Sequence, residues 1–186
     1  MKEAVPRPLT PAFAKHPSMR PSAEIVSAIA ASTAFSSPTS HCRATILRPF
    51  SLFGPGADPN SLIQTILACI DRDAPIALSN LRPVRDYCFV TDFADAVVAS
   101  LARPAPEKGR VLNIASGRGI SVGDLAALVR RVYQSTVPII ETGAIRPMES
   151  EIFELVANIE AASHELDWRP RIRLEAALHL MRRPRP

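Results

Sequence analysis

The chain has 186 residues, 47% of them hydrophobic and 22% charged, with a mean hydropathy of +0.08, which fits one folded domain and excludes a disordered or collagen-like polymer. No run of about 18 apolar residues occurs, which excludes a helical membrane span. A formal charge of +4 with only 5% aromatic residues excludes a basic, aromatic-interleaved stacking platform for nucleic acid.

Proline and glycine set the punctuation. Eighteen prolines are about twice the usual share, while the seven glycines all lie at or after Gly54. A glycine-rich phosphate loop needs glycine where the backbone takes positive φ or approaches a phosphate, so none sits before Gly54. The three cysteines, Cys42, Cys69 and Cys88, form no CxxC pair and support neither a disulfide framework nor a structural zinc site. His41 beside Cys42 reads as a surface pair before a strand. Free thiols fit a reducing cytoplasm, and the first 20 residues lack the apolar region of a secretory signal.

In chain order, residues 1–21 hold five prolines and read as an irregular arm. Ser22 opens a helix to about residue 35 with Ile25, Val26, Ile29 and Ala30 on one face. A strand is expected at Ala44–Leu47, a loop over Arg48–Gly56, and a helix from about Pro59 with Asp58 as its cap. Strands at Ile76–Leu78 and Tyr87–Val90 precede a helix capped by Thr91. Val111–Ala115 reads as a strand, and Ser121-Val-Gly-Asp124 as a capping box opening a helix that carries Leu125, Leu128, Val129 and Val132. A strand at Val137–Ile140, a short extended piece at Leu155–Ala157, and helices at 159–166 and 174–182 complete the reading. Alternating strands and helices indicate an α/β or α+β domain without an internal repeat, residues 22–186 behind the arm.

Several groups invite a chemical reading. Gly117-Arg-Gly119-Ile-Ser-Val-Gly123 follows a strand and opens a helix, and a second strand ends at Glu141, as in a dinucleotide-binding unit. The glycine spacing is wrong for GxGxxG, however, and Ser121 occupies the cap a pyrophosphate would use, so a turn with a self-capped helix is expected. Arg85 and Arg146 sit on stiff loops; guanidinium forks there clamp a diphosphate, or make surface ion pairs such as Arg85 with Asp92 or Asp95. Asp92 and Asp95 at a helix start are explained by the helix dipole. No catalytic triad or metal-ligand set stands out.

Five segments in order carry a resemblance: Thr45-Ile-Leu-Arg-Pro-Phe-Ser-Leu-Phe-Gly-Pro55, Arg85-Asp-Tyr-Cys-Phe-Val-Thr-Asp92-Phe-Ala-Asp-Ala96, Leu112-Asn-Ile-Ala-Ser-Gly117 with Ser121-Val, Arg146-Pro147, and Leu166-Asp-Trp-Arg-Pro170. Together they resemble the carboxyl-terminal half of the NAD-dependent epimerase/dehydratases, extended short-chain dehydrogenases/reductases that modify sugar nucleotides. The resemblance implies an incomplete Rossmann-type remnant, its last helix and strand, followed by a small α/β substrate-binding domain. It also implies a glycine-rich NAD loop and a Tyr-x-x-x-Lys pair, in which the tyrosine moves the proton and the lysine lowers its pKa and holds the ribose. Within these 186 residues neither motif occurs. Aligning Glu24 with the family glutamate puts Pro17 and Pro21 at those two positions, and proline does neither job.

What the resemblance carries over is on the substrate side. Arg85 and Arg146 match arginines that contact the substrate diphosphate, and Ser51 stands where many members have an asparagine on the sugar nucleotide. Pro49 and Phe50 match the loop facing the nicotinamide. Asn158 replaces a frequent aspartate, and Asp167 the glycine of a common Leu-Gly-Trp. The expectation is a truncated sugar-nucleotide epimerase/dehydratase, inactive alone, with no catalytic residue, no metal and no NAD(P) bound by this chain alone. Its expected partners are a nucleotide-sugar and, through surface left bare by missing strands, a second copy or a Rossmann-containing relative. The alternative is a non-catalytic binding or regulatory subunit that complements such a relative; an incomplete gene product is a third reading.

Overall fold

A computed structural model describes residues 44–106, 109–143 and 152–182. The expected arm at 1–21, the helix at 22–35, the His41–Cys42 pair and the Arg146–Pro147 turn lie outside these described residues. The elements run β1 (Thr45–Pro49), β2 (Ser51–Phe53), α1 (Leu62–Asp71), β3 (Ile76–Leu78), β4 (Val84–Phe89), α2 (Val90–Leu101), β5 (Arg110–Ile114), β6 (Gly119–Ser121), α3 (Val122–Val132), β7 (Ile139–Glu141), β8 (Glu154–Leu155), α4 (Glu160–Leu166) and α5 (Leu174–Met181). The domain is α/β, and its long-range strand pairs are mostly parallel.

β4 is the strand around which the rest is arranged. Its carboxyl half pairs in parallel with β2, Tyr87 opposite Ser51 and Phe89 opposite Phe53. Its amino half pairs antiparallel with β6 and in parallel with β8, so that Arg85 lies between Ile120 and Leu155. Side chains alternate across a strand, and β4 therefore feeds two cores. Tyr87 and Phe89 join Phe53 and the apolar faces of α1, α3 and α5 in one; Cys88 joins Leu47, Leu112, Ile114, Ala96 and Trp168 in the other. Phe53 meets Tyr87 edge-on with ring centroids 6.3 Å apart and Phe89 at 5.3 Å, a favourable arrangement for aromatic quadrupoles.

β1 and β5 form a separate parallel pair from Thr45↔Arg110 to Pro49↔Ile114. One face, with Leu47, Leu112 and Ile114, is covered by α2 and α4; the other shows Ile46 at 41% and Val111 at 52% exposure. β3 and β7 make a third parallel pair.

Several expectations shift: the strands expected at Val111–Ala115, Val137–Ile140 and Leu155–Ala157 lie at Arg110–Ile114, Ile139–Glu141 and Glu154–Leu155. The loop expected over Arg48–Gly56 contains β2, because Ser51–Phe53 finds a ladder on β4 that no local signal in Ser-Leu-Phe announces. α1 starts at Leu62 rather than Pro59, since Asp58 Oδ1 accepts from Asn60 N at 2.8 Å and forms a turn before the helix. α2 starts at Val90, which places Thr91 inside the helix and leaves Phe89 as the cap position. β4 extends back to Val84, and β6 between two glycines has no counterpart in the sequence reading.

Candidate functional site

Arg85 occupies the middle of β4 on the same face as Tyr87, and Ser51 stands across the ladder from Tyr87. The Arg85 Nη1 group donates to the Val84 carbonyl at 2.8 Å, which leaves four of its five N–H donors unused among the described residues. The acids that sequence spacing offered as ion-pair partners are engaged elsewhere. Asp95 faces Arg171 at 3.9 Å, and the Asp92 carboxylate accepts from the Arg171 and Ile172 amides, both at 3.1 Å. Asp92 is thus not merely a helix-dipole residue. It is 2% exposed, its carbonyl also accepts from Trp168 Nε1 at 2.9 Å, and so it ties the Asp-Trp-Arg-Pro link to α2.

The neighbouring Asp86 is the polar centre of the site's scaffold. It is 1% exposed, and its Oδ1 accepts from the Ser116 amide at 2.8 Å and the Ser116 hydroxyl at 2.5 Å. Its Oδ2 accepts from the Gly117 amide at 2.9 Å and the Ala157 amide at 3.2 Å. One buried carboxylate therefore holds the β5–β6 loop and the segment after β8 against the strand that carries Arg85. Sequence reasoning missed this role, because an acid beside an arginine in Arg85-Asp86 reads as a surface pair, and the four donors are at least 30 residues away.

Residues 23–115, half of the chain, match the NAD dependent epimerase/dehydratase family. The chain belongs to this family. It is 29% identical over 140 residues to dTDP-L-rhamnose 4-epimerase of Burkholderia thailandensis, a match over 72% of this chain and 37% of that protein. It is 33% identical over 88 residues to UDP-glucose 4-epimerase of Corynebacterium glutamicum, over 47% of this chain and 26% of that protein. Among solved structures, Pal from Bacillus thuringiensis superposes with a TM-score of 0.66 at 27% identity, over 75% of this chain and 44% of Pal. UDP-glucuronic acid 4-epimerase from Bacillus cereus, solved with UDP-glucuronic acid and NAD, shares the fold with a TM-score of 0.68 at 22% identity, over 76% of this chain and 44% of that one. The chain thus spans less than half the length of these relatives.

Members of the epimerase/dehydratase family use NAD, and the segment here that imitates a dinucleotide loop does not fit one. In Gly117–Gly123, Ser121 Oγ accepts from Asp124 N at 3.0 Å and donates to Asp124 Oδ2 at 2.6 Å, the self-capped helix that the spacing predicts. A Cβ on Gly119 would lie 2.6 Å from Val84 Cγ1 and 2.7 Å from Val156 Cγ2, so side chains of the protein already fill the space beside that glycine. Glu141 is used as well: its Oε1 accepts from the Leu81 amide at 3.0 Å. Pro49 ends β1 opposite Ile114, and the Phe50 amide donates to the Ile114 carbonyl at 3.1 Å, so the chain turns from β1 into β2 with both side chains half-buried. Arg146, the second expected arginine, lies outside the described residues. Among those residues no group of three or more His, Cys, Asp or Glu is placed to hold a metal, and no helix is long and apolar enough to cross a membrane.

Two of the three departures from the family pattern, Asp167 and Asn158, are structural. Asp167 closes α4 with φ 53° and ψ 38°, the left-handed conformation that glycine adopts without strain and aspartate tolerates better than most residues. Asn158 Oδ1 accepts from the Glu160 amide at 2.8 Å as the chain enters α4, and its carbonyl accepts from Asn113 Nδ2 at 3.1 Å.

Proposed function

We propose that this chain supplies the sugar-nucleotide-binding half of an NAD-dependent epimerase/dehydratase, with Arg85 and Arg146 gripping the diphosphate and Ser51 contacting the sugar nucleotide. The observation that carries this reading is the Arg85 guanidinium, fixed on β4 by one bond to its own strand and paired with no carboxylate among the described residues. A forked cation held so is suited to two phosphate oxygens at once. Residues 1–186 contain no Tyr-x-x-x-Lys, so the proton transfer and hydride acceptor of the family's chemistry must come from a Rossmann half beyond these residues. In this reading the 186-residue chain binds but does not turn over, and does not bind NAD or NADP measurably. Pro49 and Phe50 face the nicotinamide only when such a half is joined.

The test is calorimetric titration with UDP-, GDP-, CDP- and dTDP-sugars, repeated with Arg85→Ala. Charge-assisted hydrogen bonds contribute about 1.5–3 kcal/mol each, so the variant should bind about 10- to 150-fold more weakly. Unchanged affinity would refute the phosphate role; a micromolar constant for NAD would refute the division of labour. The Ile46–Val111 face of the β1–β5 pair, exposed among the described residues, favours a second reading, a subunit that complements a Rossmann-containing relative in trans.

A further inference from the structure

The face of β4 that carries Arg85 holds one more group suited to an anion. Tyr87 follows two residues later on the same face, about 7 Å along the strand, and stands opposite Ser51 in the β2 ladder. Its ring is locked edge-on against Phe53, so the hydroxyl has little freedom to move away. No hydrogen bond to that hydroxyl forms among the described residues. Tyr87 is 9% exposed, and the fully buried side-chain oxygen left without a partner among those residues is Ser61 Oγ alone. The unbonded phenol oxygen of this core residue is therefore not fully buried. Burial pushes the phenol up to about 12, with the Arg85 charge opposing this only in part, so at neutral pH the group is an O–H donor.

We propose that the Tyr87 hydroxyl is a ligand-binding group, donating to a phosphate oxygen of a nucleoside diphosphate whose charge is held by Arg85. The inference rests on the sugar-nucleotide reading above and adds to it an uncharged residue two positions after Arg85. A rigid, desolvated O–H beside a guanidinium adds a directional contact that the cation alone lacks, and it costs little entropy because Phe53 has already fixed the ring.

The experiment uses the full chain with UDP and dTDP as probes, titrated calorimetrically into the wild type, Tyr87→Phe and Arg85→Ala, with a thermal melt of each. Tyr87→Phe removes one oxygen that makes no bond to any described residue, so its melting temperature should match the wild type. Its affinity for the nucleoside diphosphate should fall about tenfold or more, as for a hydrogen bond to a charged group. Equal affinity in Tyr87→Phe with weakened binding in Arg85→Ala would overturn the role of the phenol and leave the arginine clamp standing. A lowered melting temperature in Tyr87→Phe with unchanged affinity would make the hydroxyl structural and overturn the proposal too. Failure of the wild type to bind either probe, and GDP and CDP as well, would overturn the sugar-nucleotide reading, and this inference with it.

Discussion

Replacing Asp86 by alanine tests the scaffold on which the site stands. The change strips acceptors from three backbone amides and one hydroxyl at once. The Ala157 amide is in a buried bond and would lose the whole benefit of pairing, about 1–3 kcal/mol; those of Ser116 and Gly117 lie nearer solvent, where water replaces the lost acceptor in part and each costs about 0.5–1.5 kcal/mol. The sum is roughly 2–6 kcal/mol, a large part of the 5–15 kcal/mol that holds an ordinary domain together. At about 2–4 °C per kcal/mol for a chain of this size, the melting temperature should drop by roughly 5–20 °C in a circular dichroism melt. Asp86→Asn keeps one acceptor oxygen but turns an NH2 group toward amide donors, so it should recover less than half of the loss. A drop under about 3 °C for Asp86→Ala would refute the idea that this carboxylate holds the loop and the segment after β8 on β4.

Asp92→Ala should cost about 2–4 kcal/mol in urea unfolding, since it unpairs the Arg171 and Ile172 amides and frees the link that carries Trp168, whereas Asp95→Ala, which removes only an exposed pair, should cost less than about 0.5 kcal/mol. Gly119→Ala should destabilise by about 1–3 kcal/mol, because the new methyl would overlap Val84 and Val156; a neutral result in the same unfolding assay would show that the two valines move aside. Burial raises Cys88, the nearby charges of Asp92 and Asp86 adding to the effect, and also Tyr87, from their ordinary 9.0 and 10.0 to about 12 in each case. Between those limits the unfolded chain loses protons that the folded one keeps, so stability is intact below about pH 9 and falls as pH rises toward 12; melts from pH 7 to 11 should show a decline from about pH 9 that Cys88→Ala makes shallower.

Long periodic stretches were legible in the sequence, and short pairings were not. The faces of α1 and α3 follow from apolar residues at helical spacing, and the Ser121–Asp124 cap from two residues three apart. β2 and β6, three residues each, exist only because β4 offers a ladder to both, and no local propensity encodes a partner more than 30 residues away. Arg85 was legible as a candidate because an arginine before an apolar strand with the family's following residues is a pattern in one dimension. Asp86 and Asp92 were not, since their meaning lies in backbone amides contributed by distant loops. The glycine missing from Leu166-Asp167-Trp168 shows the same limit: only the backbone angle explains why the family prefers glycine there.

β4 separates its two tasks by parity. Odd positions put Arg85 on the face where the Tyr87 and Phe89 rings join the Phe53 core, while even ones, Asp86 and Cys88, face the β5–β6 loop and the second core. Inserting or deleting a single residue before Arg85 would exchange the two sets, aiming a carboxylate at the phosphate and pushing a guanidinium among amides that need an acceptor. Substitutions along this strand are therefore graded in their effects, but length changes are not. Descendants of this sequence should accept insertions in the turn around Gly54–Asn60 and none between Val84 and Phe89, a difference that a library of random single-codon insertions, selected for nucleotide binding, would display directly.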